Sequence, residues 1–159
     1  MKKIILIILI IILPIATFSQ CKEFIKAIAP EALAPYIMDG NFLAPVALEG
    51  DEVVLTRTFL AGQKYKISIL GMEFLEKKIT IKDEDGFIIF KNYLIKKKEK
   101  ETYYTDFEGN KIDCIGSLNW EFELEQSQNL TIIVKLEQIA KKKSERMRGC
   151  IGIVIGFSE

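Results

Sequence analysis

The chain has 159 residues and contains no histidine. Histidine is the most common general base at neutral pH and the most common metal ligand, so its absence argues against triad catalysis, an activated cysteine thiol and histidine-based metal sites. An excess of charge of one sign is also missing, because 22 Lys and Arg residues balance 22 Asp and Glu residues. Since binding to a phosphate backbone requires a clear basic excess, this balance argues against a nucleic-acid partner.

The long hydrophobic run of the sequence lies at its N-terminus. Two lysines precede an unbroken apolar stretch, Ile4–Leu13, in the layout of a secretory signal peptide. A helix that spans a bilayer needs about 20 apolar residues, so we expect no retained transmembrane helix. Small side chains before the bond between Ser19 and Gln20 predict cleavage there. Residues 1–19 would then be a signal peptide, and residues 20–159 would be exported to the periplasm or the extracellular space.

A second processing route competes for the same segment. Lipoprotein processing would cut before Cys21 and acylate its sulfur, which would attach the protein to a membrane. Gln20 stands where that route usually has a small residue, and Phe18 stands where it usually has leucine. The sequence therefore favours cleavage after Ser19, with acylation at Cys21 as the alternative.

Three cysteines follow the predicted cleavage site: Cys21, Cys114 and Cys150. In an oxidising compartment we expect two of them to form a disulfide and one to be left over. We favour Cys21–Cys150, and Cys114–Cys150 is the alternative pairing. The spacings do not match a zinc site. We expect no metal and no other cofactor.

The periodicity of the mature chain predicts an all-β fold. A short helix is expected over Cys21–Ala29, with Pro30 ending it. From residue 53 onward, apolar and polar side chains alternate with period two in several short segments separated by turns. Seven or eight such strands predict a single antiparallel β-sandwich domain, jelly-roll-like, over residues 20–159. Gly152 and Gly156, on one face of the last strand, predict close approach by a neighbouring strand or a bulky aromatic.

Particular motifs carry a resemblance to known proteins. The segment Phe59–Ile67 resembles a strand of bacterial pre-peptidase C-terminal (PPC-like) domains, and Ile79–Phe90 resembles their strand–turn–strand. The mature chain as a whole is similar to a group of small secreted bacterial β-sandwich proteins. The motifs shared with that group are LAPY at 33–36, DGN at 39–41, the segment 128–134, GC at 149–150 and IGF at 155–157. The resemblance implies the sandwich and secretion, and it implies no particular activity.

Acidic side chains near turns are candidates for a calcium site, because calcium prefers oxygen ligands from loops. The acids fall in two stretches, and neither of them has the spacing of an EF-hand loop. Acids beside glycine are typical of tight turns. We therefore interpret them as turn residues. These candidates are Asp83, Glu84 and Asp85 in one stretch, and Asp106, Glu108, Asn110 and Asp113 in the other.

Three further patterns are candidates for sites. Glu121 and Glu123 would suit a carboxylate pair for glycoside hydrolysis, but they alternate with Trp120 and Phe122 and so share the solvated face of a strand. Trp120 would suit a stacked sugar, yet its place in the apolar alternation predicts a core residue. Two basic clusters would suit lipid headgroups or lipopolysaccharide phosphates, but interspersed acids favour solvated loops. These clusters are Lys96–Lys98, and Lys141–Lys143 with Arg146 and Arg148.

The sequence therefore predicts an exported, non-catalytic β-sandwich that serves as a binding or structural module. The expected partner is a protein or a glycan. The alternatives are a membrane-attached lipoprotein acylated at Cys21 and a hydrolase that uses loop carboxylates.

Overall fold

The structure, a computed structural model, describes residues 16–71, 77–94, 102–105, 111–114 and 118–158. The elements in chain order are α1 (Ala16–Leu33), β1 (Ile37–Met38), β2 (Val46–Leu48), β3 (Glu52–Phe59), β4 (Lys64–Leu70), β5 (Lys77–Lys82), β6 (Ile88–Leu94), β7 (Thr102–Thr105), β8 (Lys111–Cys114), β9 (Leu118–Glu123), β10 (Gln128–Leu136), a 3-10 turn (Lys143–Glu145), β11 (Arg148–Cys150) and β12 (Gly152–Ser158).

Eight of these strands form two four-stranded antiparallel sheets. Sheet I has the order β1-β12-β4-β9, and sheet II has the order β3-β10-β5-β6. When these strands are numbered 1 to 8 along the chain, the sheets read 1-8-3-6 and 2-7-4-5, which is the arrangement of a jelly roll. Two short pairs, β2–β11 and β7–β8, accompany them. The predicted fold class is therefore confirmed.

The main core lies between the two sheets. Every second side chain of the strands points inward, where β-branched and aromatic residues are removed from water. Full burial of one such side chain stabilises the fold by about 1.5–3 kcal/mol. The completely buried members of this core include Phe59, Ile67, Ile69, Ile81, Leu130, Ile132, Leu136 and Ile153.

An aromatic stack joins the sheets beside β6 and β9. Trp120 of sheet I stacks against Phe90 of sheet II, with ring centroids 4.8 Å apart, and against Phe122, with centroids 4.0 Å apart. Its ring is half-buried and packs against the core. The structure thus places Trp120 on the inward face of β9, as the alternation predicts.

The helix α1 covers the outer face of sheet I. It runs through Pro30 to Leu33, so the prediction that Pro30 ends the helix was wrong. Proline removes one intrahelical hydrogen bond, but the last helical turn buries apolar surface on the sheet and continues. In the described part of the chain, no helix is both long and apolar enough to cross a membrane. The buried side chains of this contact are Ile25, Ile28, Ala29 and Leu33 of α1 with Leu70 and Val154 of the sheet.

The same contact explains the glycines of β12. A Cβ built at Gly152 would lie 2.7 Å from Ile25 Cγ2, and one built at Gly156 would lie 2.8 Å from Tyr36 Cβ. The predicted bulky aromatic is therefore present at Gly156, whereas a helix side chain, not a neighbouring strand, approaches Gly152. Helix packing also buries Leu70, an outward side chain of β4.

A disulfide joins α1 to the segment that leads into β12. It links Cys21 and Cys150, whose Cα atoms lie 5.4 Å apart, across a sequence separation of 129 residues. This is the pairing that the sequence favoured over Cys114–Cys150. The bond uses the Cys21 sulfur, so the disulfide and acylation of Cys21 exclude each other.

Candidate binding surface

The two sheets differ in what covers their outer faces. Residues of α1 pack on the outer face of sheet I, whereas the outward side chains of sheet II reach solvent. Val54 of β3 is 50% exposed, although it is a large apolar residue. Thr56 and Thr58 of the same strand are also exposed. Among the residues that the structure describes, sheet II therefore has a solvent-exposed outer face.

The registers of the strands arrange these side chains in rows. Val54 lies opposite Ile133, which lies opposite Thr80. The next row is formed by Thr56 and Thr131, and it ends at Lys82. We call this surface the open face of sheet II. Its residues are Glu52, Val54, Thr56, Thr58, Lys78, Thr80, Lys82, Lys91, Asn129, Thr131, Ile133 and Lys135.

Hydrogen bonds between neighbouring strands order the polar side chains on β3 and β10. The hydroxyls of Thr56 and Thr131 lie 3.2 Å apart, and Thr58 Oγ1 donates to Asn129 Oδ1 at 2.6 Å. Such cross-strand pairs hold side chains in place before a partner arrives. Because less side-chain entropy is then lost on association, a preordered face favours binding.

Positive charge accumulates on the β5 and β6 side of the open face. Lys78, Lys82 and Lys91 project there, while Lys135 lies opposite Lys78 on β10. Glu137 forms an ion pair with Lys78. The hydrogen bond from Lys78 lowers the pKa of Glu137 below its usual value, against the opposing effect of desolvation. The lysines outnumber the acids on this surface, although the whole chain has no net charge.

The turn acids have a structural role at the β5–β6 hairpin. The Asp83 carboxylate accepts the backbone N–H groups of Asp85, at 3.1 Å, and Phe87, at 2.8 Å. Gly86 follows with a φ of 87°, in the left-handed region that favours glycine. Among the residues that the structure describes, no group of three or more His, Cys, Asp or Glu could hold a metal ion. The candidates Asp106, Glu108 and Asn110 lie outside the described residues, and Asp113 belongs to β8.

The paired glutamates lie on the outer side of sheet I. Glu121 and Glu123 are exposed, as the predicted solvated face requires. Glu121 accepts a hydrogen bond from the Tyr36 hydroxyl at 3.2 Å and lies 3.6 Å from Lys66 Nζ. Desolvation and then the hydrogen bond to Glu121 raise the pKa of Tyr36. Glu121 therefore helps to hold the segment after α1 on the sheet.

In the basic segment before β11, Lys141 and Lys142 are exposed and Arg146 is half-buried, and the segment is anchored at several points. Lys142 pairs with Glu145 at 3.4 Å, and Arg146 donates to Gln138 Oε1 at 2.7 Å. Glu49, which is 3% exposed, accepts the N–H of Ala140 at 3.1 Å. The cluster Lys96–Lys98 lies outside the described residues.

The sequence reasoning missed the open face as a site. Its signal was present in Thr56 and Thr58 of β3 and in Thr131 of β10, which alternate with core residues. The outward residues of β4, such as Lys66, show a similar polar pattern. In the described ranges, the position of α1 in three dimensions distinguishes the covered sheet from the sheet whose outer face is exposed.

Comparison with known proteins adds a distant likeness of fold. A scan against protein-family models matches none, and a search of curated proteins finds no match. Among solved structures, the chain is similar to the crystal structure of Aeromonas hydrophila PliG, a periplasmic lysozyme inhibitor of g-type lysozyme. The TM-score is 0.45 and the sequence identity is 13%, over 74% of this chain and 85% of that chain. A likeness at this level carries no functional argument.

Proposed function

We propose that this chain is an exported bacterial binding protein that acts without catalysis and presents the open face of sheet II to a protein partner. The observation that carries the proposal is the unequal cover of the two sheets. One outer face is buried by α1, while the other is ordered by the cross-strand hydrogen bonds of Thr56 and Thr58 and carries the exposed Val54. A sheet face with apolar and neutral polar side chains at its centre suits a protein interface, in which charged residues are depleted from the core.

Charge indicates the chemistry of the partner. Lys78, Lys82 and Lys91 flank the neutral centre of the open face on one side. An acidic surface would complement these lysines, and such complementarity raises the association rate and fixes the orientation of a complex. We therefore infer a partner with a flat surface that has acidic side chains along one side.

Export is supported by the disulfide and by the predicted signal peptide. Disulfides persist in oxidising compartments, and Cys21–Cys150 connects α1 to the segment that leads into β12. While the disulfide is formed, the Cys21 sulfur is bonded to Cys150 and cannot carry a lipid. Of the two glutamates considered for glycoside hydrolysis, Glu121 is engaged with Tyr36 and Lys66, which argues against the hydrolase alternative.

Site-specific photo-crosslinking in the producing bacterium tests the proposal. A photoreactive phenylalanine derivative replaces Thr131, at the centre of the open face, or Glu31, at an exposed position of α1. We expect a discrete protein adduct from position 131 and none from position 31. Lys82→Glu should reduce the adduct by about fivefold or more, because it repels an acidic partner. The matched charge reversal Lys26→Glu, on α1, should leave the adduct unchanged.

Each other outcome contradicts the proposal. Absence of an adduct from position 131, or equal adducts from both positions, would show that the open face does not bind a protein. An adduct that Lys82→Glu leaves unchanged would contradict the acidic partner.

A further inference from the structure

Within the described part of the chain, β3 pairs with a strand on one side only, because it stands at one end of sheet II. On the side that faces β10, the N–H of Leu136 donates to the carbonyl of Asp51, the residue just before β3, at 3.0 Å. Hydrogen-bonded and non-hydrogen-bonded pairs alternate along an antiparallel ladder. The backbone N–H and C=O groups of Val54, Thr56 and Thr58 therefore point away from β10, toward the open edge. An exposed edge of this kind is a template for pairing with another strand.

A depression of about 430 Å³ lies beside the middle of this edge. Thr56 projects outward from sheet II, while Leu55 and Arg57 project inward, and all three line the depression. A depression that is in contact with both faces of one strand must lie at the edge of that strand. We call it the β3 edge groove. Its lining residues are Lys22, Gly40, Asn41, Phe42, Leu43, Leu55, Thr56 and Arg57.

The groove has a fixed wall, apolar surface and a cationic rim. Arg57 forms an ion pair with Asp39 and donates to the carbonyl of Asn41 at 3.0 Å. Asp39 also accepts the N–H of Asn41 at 2.9 Å, which holds the loop opposite β3. Phe42 supplies apolar surface, and Lys22 adds an exposed positive charge.

We propose that the β3 edge groove binds an extended peptide segment of a partner, which adds to sheet II as a further strand. In strand addition the main-chain hydrogen bonds supply affinity, and pockets for alternate side chains supply specificity. Here the peptide would pair with the backbone of Val54, Thr56 and Thr58. One apolar side chain would enter the groove against Phe42, and an acidic side chain of the peptide would lie near Lys22.

A second copy of this chain fits the groove less well than a peptide does. Two copies paired through β3 would each bring the inward side chains Leu55 and Arg57, which already serve their own sandwich. Neither side chain would then fill the groove of the other copy. An independent peptide has free side chains on both faces, so it fills the groove and also covers the edge.

This site lies on the edge of sheet II, whereas the proposed function uses its face, so either proposal can fail without the other. The test uses the full chain and a display library of nine-residue linear peptides as the probe. We expect selected peptides to alternate apolar with polar side chains and to carry an acid. In the isotope-labelled chain, one such peptide should slow amide exchange at Val54, Thr56 and Thr58, and leave it unchanged at Val53 and Leu55, which already pair with β10.

Variants assign the effect to the edge. Thr56→Pro removes one outward N–H without removing a β10 hydrogen bond, and it should weaken peptide binding about tenfold, equivalent to 1.4 kcal/mol. Lys26→Glu, at an exposed position of α1 outside the lining of the groove, should bind the peptide as the wild type does. If Thr56→Pro unfolds, Lys22→Glu provides the second variant, and we expect severalfold weaker binding of acidic peptides.

Three results would overturn the proposal. The library could yield no alternating peptide, or the selected peptide could protect amides other than the three named. The three amides could also become protected when the protein alone is concentrated, which would identify a second copy as the occupant.

Discussion

Gly152 lies directly beneath Ile25, at a distance that leaves no room for a side chain: a Cβ at Gly152 would lie 2.7 Å from Ile25 Cγ2. The contact seats α1 on sheet I and thereby leaves sheet II as the sheet with an open face. We predict that Gly152→Val lowers the free energy of unfolding by about 1–3 kcal/mol, because overpacking displaces the helix. Urea denaturation measures the change. Gly40→Ala is the control, because nothing lies within 4 Å of a Cβ at that position. Equal stability of the two variants would contradict this packing.

The disulfide should contribute strongly to stability, because it closes a long loop. We predict that the double variant Cys21→Ser, Cys150→Ser loses about 2–5 kcal/mol of unfolding free energy. Denaturation of the wild type in the presence of a reductant should show a similar loss. Cys114→Ser keeps the bond and serves as the control. Peptide mapping that found Cys114 bonded to Cys150 would contradict the pairing.

The ion pair between Lys78 and Glu137 predicts a pH dependence. The pKa of Glu137 is lowered from 4.5 in the folded state, so its carboxylate contributes stability above pH 4.5 that is lost as pH falls through the lowered pKa. Glu137→Gln should therefore lose less stability than the wild type on acidification through this window. Urea denaturation at a series of acidic pH values measures the difference. Glu123→Gln, on β9, should follow the wild type, and an identical profile for Glu137→Gln would contradict the prediction.

The processing of the N-terminus is a separate prediction. Mass spectrometry of the exported protein should find a chain that begins at Gln20 and has two fewer hydrogens than the reduced form with the same N-terminus. A diacylated peptide beginning at Cys21 would support the lipoprotein alternative. An intact Met1 would contradict export through a cleaved signal peptide.

Local patterns in the sequence predict the strands well. The alternation in β3, β4 and β10 identifies their inward side chains, because a strand turns successive residues to opposite faces. The acids and glycine at Asp83–Gly86 likewise predict the β5–β6 hairpin, which the structure contains. These features depend on residues that are close together in the chain.

Features that depend on distant residues were harder to predict. The extension of α1 past Pro30 results from burial against sheet I, which local helix propensity does not include. The two-residue strand β1 forms because Ile37 and Met38 pair with β12, which lies far away in the sequence. The open face follows from the same long-range packing, since outward polar residues occur on both sheets.

Crosslinking from Thr131, the centre of the open face, tests the central claim most directly. We predict a discrete protein adduct from this position, a reduction of that adduct by about fivefold or more with Lys82→Glu, and no adduct from Glu31 on α1. A chain that yields no adduct at position 131, or the same adduct at both positions, would contradict a binding function for the open face of sheet II.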